Sequence, residues 1–117
     1  MDDAILDGGA GMDTLHLLGT SLDLDFTSLN NQHVQNIEVI DITGNGNNTL
    51  DLKASDVLDM SSTTNTLKVV GNAGDTVDVN AMHETGVTHT EAGVTYKVYA
   101  EAGVSIELWV DKDLTVI

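Results

Sequence analysis

Gly8-Gly9-Ala10-Gly11-Met12-Asp13-Thr14-Leu15-His16 is one full copy of the nine-residue pattern G-G-x-G-x-D-x-U-x, in which U is a large apolar residue. The glycines let the main chain turn through positive φ and bring carbonyl oxygens inward. Asp13 adds a carboxylate, and Leu15 opens a short strand facing a core. An oxygen cage suits a hard cation, so the stretch points to calcium and to a β-solenoid. Gly9 and Gly11, through their backbone oxygens, and Asp13 are the candidate ligands. The plainer alternative is a glycine-rich β-turn that holds no ion.

Upstream, Asp3-Ala4-Ile5-Leu6-Asp7 reads as the tail of a preceding repeat, and Asp7 joins the candidate ligand set. Asp3 lies one position too far before Asp13 for a strict repeat, so the register is imperfect. Downstream, one rung recurs: an Asp or Asn, then Thr, an aliphatic residue, any residue and a second aliphatic. It is seen at Asp13–Leu17, Asn48–Leu52, Asn65–Val69 and Asp75–Val79, with spacings that are uneven and shorten along the chain. Gly44-Asn45-Gly46-Asn47 precedes Asn48 as Gly9-Ala10-Gly11-Met12 precedes Asp13. Asn48 keeps a side-chain oxygen and drops the charge, as a hydrogen-bonded rung with no ion beneath it prefers.

Leu22–Phe26 and Ile37–Ile42 add two more apolar-rich strands. Thr27–Gln35 is polar and reads as loop. Lys53–Met60 is the one helical candidate, with Ser55 as N-cap. Glu91–Tyr99 is echoed by Glu101–Trp109, and Asp111-Lys112-Asp113 turns the chain into Leu114–Ile117, which predicts an antiparallel meander. The expected fold is therefore all-β: a β-solenoid, calcium β-roll-like at its N-terminus with degenerate rungs after it, capped by that meander. Residues 1–90 form the solenoid region with partial repeats and 91–117 the cap, within one domain. Both tyrosines and the single tryptophan fall in the cap, where Tyr96 and Trp109 are expected in its core.

The composition excludes several functions. The 117 residues carry nineteen acidic and four basic side chains, a formal charge of −15, so nucleic acid and anionic membranes are poor partners. Cysteine is absent, and no apolar run approaches the roughly 18 residues of a membrane span. Met1-Asp2-Asp3 opens with acid where a cleavable signal peptide needs base. His83-Glu84 and His89-Thr90-Glu91 lack H-E-x-x-H spacing, and no G-x-S-x-G elbow, phosphate loop or dinucleotide fingerprint occurs, so no enzyme is expected.

The nonapeptide resembles the repeats-in-toxin family of large bacterial proteins secreted by type I systems, whose repeats form calcium-binding β-rolls. Asn36–Gly44, Ala54–Leu58, Gly71–Val79 and Tyr96–Tyr99 resemble the segments that follow those repeats in giant adhesins of Gram-negative bacteria. The resemblance implies a secreted, cell-surface protein whose C-terminal module folds outside the cell as Ca2+ enters and carries or adjoins the secretion signal. Its implied partners are calcium, the type I secretion machinery and a cell-surface or glycan target. The rival readings are the calcium module of a secreted polysaccharide-modifying enzyme or protease, and a lectin-like tip built on Tyr96, Tyr99 and Trp109.

Overall fold

A computed structural model describes residues 6–7, 13–16, 23–25, 34–35, 37–43, 46–54, 57, 65–80 and 82–117. The fold is all-β. Its strands are β1 (Leu6–Asp7), β2 (Thr14–His16), β3 (Asp23–Asp25), β4 (Val34–Gln35), β5 (Val39–Asp41) and β6 (Thr49–Asp51). They continue as β7 (Thr66–Val70), β8 (Thr76–Asp78), β9 (His83–Glu91), β10 (Val94–Ala100), β11 (Glu107–Asp111) and β12 (Thr115–Val116). The order is β2-β5-β7-β11-β10-β9 in a six-stranded sheet and β12-β8-β6-β3 in a four-stranded one, with β1 and β4 as a separate pair.

From β5 to β8 the chain alternates between the two larger sheets, and each strand pairs in parallel with a strand one layer away. Thr14 is level with Val39 and Val39 with Lys68 in one sheet; Asp23 is level with Thr49 and Thr49 with Thr76 in the other. These steps are similar to one another and far longer than the glycine-rich pattern, so that pattern does not set the layer. Alternation turns the middle residue of β5, β6 and β8 into the core. Leu15, Ile40, Val69 and Val110 stand in one ladder, and Leu24, Leu50, Val77 and Val116 are level in the other sheet. The core contains Ile40, Leu50, Leu67, Val69, Val77 and Leu108, none of them accessible to solvent.

All four repeated rungs are strands, on two different walls. β2 and β7 belong to the six-stranded sheet, β6 and β8 to the four-stranded one. The short step from Asn65 to Asp75 is the walk across one layer, turned at Gly71–Asp75, where Asp75 N–H donates to the Asn72 carbonyl at 3.0 Å. Gly71 fits this corner because a Cβ there would collide with Leu114 Cδ2 and crowd Ile42 Cγ1. Of the segment read as loop, Val34–Gln35 forms β4 alongside β1. Within the expected helix, Val57 N–H donates to the Lys53 carbonyl at 3.2 Å and Ala54 and Val57 are buried, while Ser55 and residues 58–60 lie outside the described residues.

The C-terminal meander departs from the expectation in two ways. Its first antiparallel strand begins at His83, and its last strand is not antiparallel. β9, β10 and β11 run antiparallel, but β11 also pairs in parallel with β7, and β12 crosses to pair in parallel with β8. Residues 107–116 thus add one more layer, reached after a hairpin insertion. The Asp111–Leu114 turn makes this crossing: Leu114 N–H donates to the Asp111 carbonyl at 3.0 Å, and Leu114 seats against Gly71 of the preceding corner. Tyr99 joins the main core cluster; Tyr96 is buried, as expected, but outside that cluster, and Trp109 is only half-buried. Tyr96 and Trp109 lie on the outer face of the six-stranded sheet, since Leu108 and Val110 on either side of Trp109 point inward.

Candidate functional site

Asp13, Glu38, Asn48 and Asp75 each stand immediately before a strand, at the corner where the backbone enters its layer. Asp13 and Glu38 occupy equivalent corners ahead of β2 and β5. The Asp13 carbonyl accepts the N–H groups of Glu38 and Val39, both at 3.1 Å. The Asp13 N–H in turn donates to Glu38 Oε2 at 2.8 Å. Glu38 is only 3% exposed, and Asp13 Oδ2 is buried with no hydrogen-bond partner. A buried carboxylate oxygen that binds nothing is costly, and one beside a second buried carboxylate more so.

Of the four predicted ligands, Asp13 alone is placed with its side chain. Asp7 lies on β1, level with Gln35 of β4, in a sheet separate from that of β2. Gly9 and Gly11 lie outside the described residues. Among the described residues no group of three or more His, Cys, Asp or Glu side chains gathers to hold a metal. Glu38 escaped the sequence reading because Ile37–Ile42 looks like one apolar-rich strand. The adjacent apolar pair Val39-Ile40 breaks the alternation, and that break was the available signal that Glu38 precedes the strand.

The corner at Asn48 and Asp75 is built differently. Asp75 is fully buried, and its two oxygens accept the backbone N–H groups of Asn48 and Asn72, both at 2.8 Å. Asn48, 1% exposed, donates its amide Nδ2 to the Ile42 carbonyl at 2.9 Å. The gain from asparagine here is thus a donor as well as a lost charge. Asn72 and Asn80 repeat the device, donating to the carbonyls of Thr43 at 2.8 Å and Leu52 at 2.6 Å.

On the outer face, the His89 imidazole stacks on the Trp109 indole with centroids 4.2 Å apart and planes 8° from parallel. Lys68 Nζ lies 5.1 Å from the Trp109 ring centre and pairs with Glu91. The indole N–H donates to Glu107 Oε1 at 2.9 Å. Trp109 is therefore engaged by His89, Lys68 and Glu107. Tyr96, packed beside it, has its pKa raised by burial, with Asp111, Glu91 and Asp41 adding to the effect. His83 and His89 are exposed on β9, and His16, also exposed, places Nδ1 3.3 Å from Asp41 Oδ2.

Among the described residues no helix is long and apolar enough to cross a membrane. Comparison with protein-family models, with curated proteins and with solved structures gives no match to this chain.

Proposed function

We propose that this chain is a non-catalytic, calcium-responsive β-solenoid module of a type I-secreted surface adhesin from a Gram-negative bacterium. It folds outside the cell and carries or adjoins the secretion signal. The observation that carries the reading is the orphaned, buried Asp13 Oδ2 in the glycine-rich sequence motif, a carboxylate oxygen with no protein donor to satisfy it. The parallel pairing of strands from successive layers, at similar steps along the chain, supports the solenoid. The adhesin and secretion assignments rest on the sequence resemblance alone.

The mechanism is ion-linked folding. Where calcium is scarce, a chain of charge −15 repels itself and the carboxylate at Asp13 opposes closure of its corner. Where calcium is abundant, the bound ion stabilises only the folded form. One site with a dissociation constant near ~10⁻⁴ M contributes about 1.4 kcal/mol at ~1 mM calcium. The corners tied by Asn48, Asn72 and Asn80 hold without an ion.

The test is thermal melting followed by far-UV circular dichroism, with calcium or magnesium, on the wild type and on Asp13→Ala. A calcium-specific rise in melting temperature that Asp13→Ala abolishes is expected. An unchanged wild-type melt would leave the nonapeptide as a turn and sink the calcium assignment.

A further inference from the structure

We infer that Glu38 supplies the second carboxylate of the calcium site, so that the ion is clamped between the corner of β2 and the corner of β5. This rests on the calcium reading above and adds a ligand that lies outside the glycine-rich motif, brought to Asp13 only by pairing between layers.

Register comes first. Thr14 is level with Val39, which puts Asp13 and Glu38 side by side on adjacent layers, and the main-chain bonds between them hold that juxtaposition. Burial comes second. Glu38 is 3% exposed and Asp13 Oδ2 is closed off from water without a partner. Charge comes third. Lys68 pairs with Glu91 and Lys112 with Asp113, His16 lies beside Asp41, and among the described residues none of these contacts neutralises Asp13 or Glu38.

The buried Glu38 carboxylate and the buried Asp13 Oδ2, with no counter-charge beside them among the described residues, repel each other through a medium less polar than water. The Asp13 N–H satisfies one oxygen of Glu38 and cannot neutralise both acids. A divalent cation does so in one step. Calcium takes roughly six to eight oxygen ligands at about 2.4 Å in flexible geometry, so it accepts carboxylates offered from two separate corners. Magnesium, with bonds near ~2.1 Å, strict octahedral geometry and a preference for keeping its water shell, is the poorer match to protein carboxylates alone. Binding across the two corners ties the layer of β2 to that of β5, so the ion acts on the folding of both.

The experiment uses the whole chain as wild type, Asp13→Asn, Glu38→Gln and Glu38→Asp, with Asp113→Asn as a surface control. Melting temperature is read in chelator and in calcium, and calcium affinity and stoichiometry by titration calorimetry, with magnesium as the competing ion. Glutamine keeps an oxygen to accept the Asp13 N–H and removes only the charge. Glu38→Gln should therefore melt higher than wild type in chelator, lose the calcium increment and bind calcium at least tenfold more weakly. A carboxylate that merely holds the Asp13 N–H would give no gain in chelator and an unchanged calcium increment.

A wild type that responds to calcium through Asp13, with Glu38→Gln responding equally, overturns the role of Glu38 and leaves the calcium reading standing. A wild type that does not respond at all overturns both. If Glu38→Gln does not fold, Glu38→Asp decides: the shortened side chain should weaken calcium binding several-fold while Asp113→Asn does not, and unchanged affinity refutes the assignment.

Discussion

Asp75 shows how a buried carboxylate is stabilised by backbone alone. Each oxygen accepts one N–H, from Asn48 and from Asn72, in a site closed to solvent. Hydrogen bonds to a charged acceptor contribute about 1.5 kcal/mol or more each, so Asp75→Ala should cost about 3 kcal/mol in urea unfolding. A loss under about 1 kcal/mol would show that the turn re-forms without the side chain. Asn48→Asp makes the complementary case. It removes the Nδ2 donor to the Ile42 carbonyl and sets a second carboxylate beside Asp75, so stability should fall by about 2 kcal/mol in urea unfolding. Tyr96 gives a pH signature. Burial first, and then Asp111, Glu91 and Asp41, hold its phenol proton more tightly than in the unfolded chain. The folded form thus binds the proton over a range where the unfolded form has released it. Stability from this source is fully present below the ordinary tyrosine value of about 10 and is lost as pH rises through the folded value. Alkaline unfolding curves should show this loss, and Tyr96→Phe should reduce it.

At the scale of strands, Ile40, Val69 and Val110 in one ladder and Leu50 and Val77 in the other are what the layers contribute to the core. Leu50, with Leu24 and Val77 level on either side, has no exposed surface. Leu50→Ala should cost about 3 kcal/mol through lost burial and the cavity left behind. Val87, 48% exposed on β9, should tolerate alanine within about 0.5 kcal/mol by the same chemical denaturation. The contrast also marks where the sequence was legible. The Thr-aliphatic-x-aliphatic rungs announced β2, β6, β7 and β8, because alternation names the buried face of a strand. Alternation does not name the wall, so β7 and β8, close in sequence, read as successive rungs when they are opposite sides of one layer. β9 was hidden for another reason. His83–Glu91 is polar on both faces and exposed along its whole length, so no apolar period betrays it. Gly86, at φ +87°, lies opposite the register shift between Lys97 and Tyr99, an irregularity that interrupts the regular ladder on this edge strand. The same logic divides the candidate site. Asp13 was legible from the glycines around it, whereas Glu38 becomes a neighbour only through pairing between β2 and β5.

For the molecule as a whole, two electrostatic effects must be separated, because a charge of −15 makes any cation stabilising to some degree. Diffuse self-repulsion falls as salt shortens the screening length to about 8 Å near ~0.15 M. It is shared by every acidic side chain and does not depend on Asp13. A site closed to water is screened far less, and the ion it takes is selected by size and ligand geometry. Potassium chloride raised from low salt to about 0.15 M should therefore lift the melting temperature of wild type and Asp13→Asn by similar amounts. On that background, ~1 mM calcium changes the screening length very little, yet it should raise the wild-type melt by an amount equivalent to about 1.4 kcal/mol for a site of ~10⁻⁴ M affinity. Asp13→Asn should show no such rise, and equimolar magnesium should give far less in either protein. If the calcium increment disappears once potassium chloride is present, the acidic surface responds to cations only as a screened charge, and the corner at Asp13 and Glu38 holds no selective site.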